Sequence, residues 1–233
     1  MFEKFWAPNG TTITKRFVAS LDVLGFKQRL AQEGLGAVFS SYQGLQIYLK
    51  QGGTKLTVLG TLFGATVGLT KEAPYVLLSD TIMLWCDEHG DVASFVEVCA
   101  SVTASATERD VFLRGAIAFG DTIIDPPTNT FIGQPIVDAH LAETAQEWVG
   151  LGVHPTALNG LRGSESVVEY KVPIKNEHPP ELTHAITWHH YLQASDALAR
   201  LAAARAKAGP NSRKYDEASK FVRAFPLDAE NSM

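Results

Sequence analysis

Cysteine is nearly absent from this chain, with only Cys86 and Cys99 in 233 residues. Two thiols make no disulfide framework, and neither stands in a metal-type spacing with histidine or another cysteine. Each lies in an apolar segment and reads as a buried structural thiol, which fits a reducing, cytoplasmic setting. An excess of positive charge is missing too: 20 Lys and Arg face 25 Asp and Glu, for a net charge of −5. A nucleic-acid-binding surface normally needs clustered basic residues, so no nucleic-acid partner is expected. Nor is there an apolar run long enough to cross a bilayer. Residues 56–69 carry no charge and space Gly60, Gly64 and Gly68 four apart. The run is too short to span and rich in β-branched residues, so it reads as a buried strand, a hairpin or a short packed helix. Residues 1–10 mix charge, tryptophan and proline, which is no signal peptide.

What remains is an ordinary globular composition, long enough for one well-buried core. Residues 16–22 read as a buried strand, followed by helical spacing over 26–50 with Leu30, Leu35, Val38, Phe39, Tyr42, Leu45 and Leu49 on one face, interrupted at Gly34 and Gly36. Residues 75–86 read as two strands hinged about Ser79-Asp80. Asp91 is placed to cap a helix reaching about residue 109, with Val92, Phe95, Val96, Cys99 and Val102 facing inward. A strand over 111–124, a loop at 125–129 and a helix over 134–148 follow. Shorter strands are expected near Val153, over 166–172 and over 185–188. An alanine- and arginine-rich helix over 193–208 is stopped by Gly209-Pro210. The polar end beyond it reads as a partly disordered tail. The whole is expected to be one α+β domain spanning 1–233: a core over 15–150, a C-terminal part over 151–208, and the tail over 209–233.

Two aspartates carry the chemistry. Asp22 ends the apolar run Ala19-Ser20-Leu21 and is followed by Val23-Leu24-Gly25-Phe26. Asp80 follows Val76-Leu77-Leu78-Ser79 and precedes Thr81-Ile82-Met83. Alone, an aspartate before a glycine turn is usually a cap or turn residue. A carboxylate beside a run that wants burial needs a compensating partner, and a cation is the simplest one. Carboxylates on two neighbouring strand ends are what a pair of divalent metals needs to hold a nucleoside triphosphate.

These segments resemble the catalytic core of class III nucleotide cyclases over roughly residues 15–150. Leu21-Asp22-Val23-Leu24-Gly25-Phe26 is similar to the second half of that family's first metal motif. Ser79-Asp80-Thr81-Ile82-Met83 looks like its glycine-aspartate hairpin, with serine for glycine. Arg114-Gly115-Ala116-Ile117-Ala118-Phe119-Gly120 is close to its arginine-x-glycine strand. Gly133-Gln134-Pro135-Ile136-Val137-Asp138-Ala139 is like its following helix start. The resemblance implies a ferredoxin-like βαββαβ sheet with extra C-terminal strands and a helix. It also implies two Mg²⁺ or Mn²⁺ ions held by Asp22, Asp80 and the Val23 carbonyl, and phosphates cradled by Leu24, Gly25 and Phe26, with Ser79 beside them. A homodimer with shared active sites is implied as well.

The departures matter. Val76 and Thr130 stand where the family's purine selectors belong, and Val137 and Leu141 replace the asparagine and arginine that steady its transition state. Arg114 is the candidate substitute cation, a structural ion pair being its alternative role. Retained metal aspartates without purine selectors look like the Pycsar-type pyrimidine cyclases of bacterial anti-phage defence. That resemblance implies a UTP cyclase whose cyclic UMP acts on a separate effector protein. Adenylate, guanylate or cytidylate cyclases and a catalytically silent nucleotide sensor are the alternatives. A diguanylate cyclase lacks its signature here. Ser79 and Ser20 have no histidine at motif spacing, so a serine hydrolase has no support. His189-His190 and His154 read as core or surface histidines, and His140 is unassigned.

Overall fold

The computed structural model describes residues 12–50, 74–175 and 181–226. The uncharged run over 56–69 lies outside them. The elements in chain order are β1 (Thr14–Val23), α1 (Phe26–Lys50), β2 (Tyr75–Leu78), β3 (Thr81–Asp87), α2 (Val92–Thr107), β4 (Leu113–Asp125) and β5 (Thr130–Gly133). They continue with α3 (Gln134–Ala145), β6 (Gly150–Val153), α4 (Leu158–Leu161), β7 (Val167–Glu169), β8 (His184–Ile186), α5 (Ala194–Ala208) and α6 (Arg213–Ala224).

The strands form one sheet in the order β2-β3-β1-β4-β6-β8-β7, with β5 paired to β4. Its first half, β2-β3-β1-β4, is the expected βαββαβ unit, and β1 lies antiparallel between β3 and β4. Central position explains why Phe17 through Leu21 are all buried. Side chains alternate along a strand: Phe17, Ala19, Leu21 and Val23 enter the main core, while Val18 joins Met83 and Trp85 on the opposite face. Gly115 on β4 has no room for a side chain, because a Cβ there would stand 2.4 Å from Leu21 Cδ2 and 2.7 Å from the Ser20 carbonyl.

Helix α2 begins as its sequence directs, with the Asp91 carboxylate accepting from the Ser94 N–H at 3.0 Å. It is buried from Ser94 to Thr107 except at Glu97. Its hydroxyls tolerate this because they bond back to their own helix: Ser101 to the Val98 carbonyl, Thr103 to Cys99 and Thr107 to Thr103. Cys99 is fully buried as expected, whereas Cys86 is half-buried.

Helix α1 departs from its expected face. Val38 is buried, but Leu35 and Phe39 are 74% and 56% exposed. Gly34, at φ 78°, breaks the helical winding, so a 3.6-residue count carried across it does not predict one stripe. The positions of Tyr42, Leu45 and Leu49 fall outside the described side chains.

The chain after Gly209 is the larger correction. The tail expected to be partly disordered contains α6, whose Tyr215, Ala218, Phe221 and Val222 are buried. Phe221 meets Trp148, Tyr170 and His189 at ring-centroid distances of 5.0, 4.8 and 5.5 Å. A charged sequence with four apolar residues on one stripe hides its burial from composition. Residues 188–191 form a 3₁₀ turn rather than a strand end. His189 within it is fully buried, its Nε2 lies 2.6 Å from the Phe225 carbonyl, and burial pushes its pKa down to about 4. It is a core histidine. No helix among the described residues is long and apolar enough to cross a membrane.

Candidate active site

Asp22 is the next-to-last residue of β1, facing Thr81 of β3 and Arg114 of β4 across the sheet. Asp80 sits in the two-residue turn that joins β2 to β3, where Leu78 pairs with Thr81. Ser79 takes the left-handed conformation in this turn, at φ 56°. A tight hairpin of this hand favours glycine there, which accounts for the family pattern from which the serine departs. The Val23 N–H donates to the Asp80 carbonyl at 2.9 Å, tying the turn to the end of β1. Two stretches nearly sixty residues apart in sequence thus meet at one strand end.

The electrostatics follow from that meeting. Burial raises the Asp22 pKa first, the Arg114 guanidinium opposes it, and the charge of Asp80 raises it further. Arg114 Nη2 lies 3.2 Å from Asp22 Oδ2 and 2.7 Å from Glu143 Oε1. Its Nε donates to the same Glu143 oxygen at 3.0 Å, and its Nη1 donates to the Gln146 carbonyl at 3.1 Å. Every nitrogen of the guanidinium is therefore engaged inside the protein, and the residue is only 8% exposed. Of the two roles expected for Arg114, these contacts match the structural ion pair, with Asp22 and Glu143 as its acidic partners. Its long fork is spent on buried acceptors, a use for which arginine is suited.

Glu143 on α3 was not singled out in the sequence, which offers no local signal for it. It is buried, and burial raises its pKa against the pull of Arg114. His140, one turn earlier, places Nδ1 3.2 Å from the other Glu143 oxygen. Gln146 donates to the Gly115 and Ala142 carbonyls at 2.8 and 2.9 Å and accepts from Trp148 Nε1 at 2.6 Å. These contacts lock the far end of α3 onto β4 and thereby hold Arg114 in place.

The phosphate cradle needs a correction. The Leu24 N–H is spent on the Phe112 carbonyl at 2.9 Å, so it cannot also bind an anion. Gly25, at φ 75°, turns the chain into α1, and its carbonyl accepts from the Arg29 N–H to open the helix. The amide end of that helix keeps its general preference for anions.

The donor set suits a hard divalent cation. Arg114 and Glu143 neutralise each other, leaving the Asp22 and Asp80 carboxylates at the same strand end. Among the described residues no group of three His, Cys, Asp or Glu converges. Two carboxylates fit ions that take the rest of their ligands from substrate phosphates and water. On the same face of the sheet lies a largely apolar cavity of about 290 Å³, lined by Val18, Ser20, Val76, Thr81, Phe131 and His140 among others. Val76 thus faces a space beside the carboxylates. Thr130 shares a hydrogen bond with Thr128 at 2.9 Å. Val137 and Leu141 are 49% and 56% exposed on α3.

No family model matches this sequence, and no curated protein sequence does. Solved structures match its shape. The adenylyl cyclase CyaB from P. aeruginosa superposes with a TM-score of 0.56, over 76% of this chain and 95% of its own, at 12% identity. The catalytic core of a rhodopsin-guanylyl cyclase with converted specificity, in complex with ATPαS, gives 0.53 over 75% and 96%, at 8% identity. A bacterial light-regulated adenylyl cyclase gives 0.52 over 76% and 53%, at 8% identity. The fold is that of a class III cyclase catalytic domain.

Proposed function

We propose that this chain is a pyrimidine nucleotide cyclase of the Pycsar type, converting UTP to 3′,5′-cyclic UMP and pyrophosphate. The observation that carries the cyclase reading is the convergence of Asp22 and Asp80 through the Val23–Asp80 backbone bond, on a sheet shared with nucleotide cyclases. Asp22 and Asp80 would hold two Mg²⁺ or Mn²⁺ ions, with the Val23 carbonyl as a further donor. When bound, such ions make the ribose 3′-hydroxyl more acidic and neutralise charge on the triphosphate.

The chain's own residues supply position. Arg114, clamped by Glu143 and the Gln146 carbonyl, fixes the rotamer of Asp22. The head of α1, beginning at Gly25, receives the phosphates. The 3′-oxygen attacks the α-phosphorus in line, the bond to the bridging oxygen breaks, and pyrophosphate leaves with that electron pair. The hydroxyl proton passes to solvent.

The uracil assignment rests on Val76. An aliphatic side chain in the cavity beside the metal carboxylates offers no hydrogen bond to a purine edge, and Thr130 has a short hydroxyl already bonded to Thr128. A homodimer with shared sites and a separately encoded effector that reads cyclic UMP, in a cytoplasmic anti-phage response, complete the proposal.

The test is incubation of purified protein with ATP, GTP, CTP and UTP in turn, with Mn²⁺, following pyrophosphate and cyclic product. Cyclic UMP from wild type, and a loss of about a thousandfold or more in Asp80→Ala, is the expected result. Cyclic product from a purine instead overturns the base assignment and keeps the cyclase. Binding of nucleotide without product from any of the four makes the chain a silent sensor, as the aliphatic Val137 and Leu141 on α3 would allow.

A further inference from the structure

A second cavity, of about 400 Å³, opens between the head of α1 and the α5–α6 hairpin. Its wall includes Leu24 and Gly25, the residues that directly follow the Asp22-Val23 strand end. Four cationic side chains line it, Arg29, Arg109, Lys207 and Lys214, against two acidic ones, Glu33 and Asp110. In a chain of net charge −5, a concave site with surplus positive charge is a local reversal of sign.

Several of these charges lack a full set of partners. Arg29 gives Nε and Nη2 to Glu33 at 3.0 Å each, and Nη2 also donates to Ser41 at 3.1 Å. Its Nη1 is buried and has no hydrogen-bond partner among the described residues. Asp110 is already paired with Arg200 at 2.9 Å. Lys214 makes no ion pair among the described residues, and its ammonium stands 5.2 Å from the centroid of the adjacent Tyr215 ring. Tyr215 itself is pinned by Phe112 at 5.2 Å, so the start of α6 is held firmly at the cavity.

We infer that this cavity is the seat of the substrate's terminal phosphates, and that Lys214 and Arg29 are the side chains that bind them. The inference rests on the cyclase reading and deepens it, because it gives the appended α5–α6 hairpin a part in the site. Burial lowers the Lys214 pKa most, Arg114 and Lys175 lower it further, and Asp22 opposes them. The ammonium therefore shares its surroundings with the catalytic strand end, among like charges that a polyphosphate would offset. The cation comes from a helix that the resemblance over residues 15–150 does not reach.

Equilibrium titration with inorganic tripolyphosphate, without metal, tests this independently of turnover. Wild type is expected to bind it, Lys214→Ala to bind at least about tenfold more weakly, and Lys214→Arg to recover most of the loss. Lys220→Ala serves as the control on the same helix, since Lys220 is exposed and paired with Glu217 at 2.7 Å. Thermal melting establishes that each variant is folded. UTP should displace the bound tripolyphosphate competitively. Wild-type affinity in Lys214→Ala, no binding by wild type, or binding that UTP does not displace each overturns the inference. If no nucleotide is cyclised and tripolyphosphate binding still depends on Lys214 and yields to UTP, the cyclase reading falls and the phosphate site stands.

Discussion

The two faces of the central strands live in different environments. On one face Phe17, Ala19, Leu21 and Val23 of β1 meet α2 and the rest of a large continuous core. On the other, Val18, Met83 and Trp85 make a small cluster, with Val76, Ile124, Phe131 and Ile136 packed against it. Asp22 continues this second side of the strand alternation, next to Arg114 and the end of α3. Residues 17–21 of β1 are buried on both sides, and the two carboxylates lie just beyond them, at the strand end and in the adjoining turn, where both are partly exposed. The fold keeps one face dense and dry and leaves the other with a cavity, an exposed helix face and the charges. Stability and chemistry are thus separated by a single residue of register.

The contrast can be broken most strongly at Glu143. It is the buried anion that balances Arg114, and Glu143→Ala would leave the guanidinium with only Asp22 and the Gln146 carbonyl as partners. A loss of about 3–5 kcal/mol in unfolding free energy is expected from denaturant titration. A loss near zero would mean that Arg114 reorients to solvent and that the clamp is not structural.

Adjacent residues of β3 sharpen the comparison. Leu84, fully buried, points into the main core, and Met83, 8% exposed, belongs to the small cluster. Leu84→Ala should cost about 4 kcal/mol and Met83→Ala about 2 kcal/mol, by the same titration. Equal costs would show that the second face is as tightly packed as the first, which a dimer covering it would explain.

The smallest effect is one of pH. Burial holds the Glu143 carboxyl above its ordinary range in the folded state. The folded protein then binds that proton more tightly than the unfolded chain does. Ionisation of Glu143 costs stability above its folded pKa, and the cost fades as pH falls through that value towards the unfolded one. On passing from about pH 8 to about pH 5, metal-free wild type should therefore gain stability relative to Glu143→Gln, read as the difference between their denaturation midpoints. A relative loss would reverse the sign and show that Arg114 outweighs burial.

Much of the fold was legible in the chain. Apolar, strand-like runs announced β1, β3 and β4, Asp91 announced the start of α2, and the Ser79-Asp80 hinge announced the hairpin. These signals are local: a strand face, a cap and a turn each need only a few neighbouring residues. The two aspartates were legible for the same reason, since each ends or follows an apolar run. The tail was misread because α6 buries only one stripe of a charged helix, and the face of α1 because Gly34 resets its winding.

By itself, then, the sequence determined the βαββαβ order and the placing of one carboxylate at a strand end and another in a hairpin turn. Only the tertiary structure decided that Arg114 turns inward to Glu143, that the Leu24 amide is consumed by Phe112, and that Lys214 comes within the field of Asp22. Local propensity acts between near neighbours along the chain. The partner of a buried charge is chosen by whatever distant residue packing brings within a few ångströms, where a low dielectric makes that choice decisive.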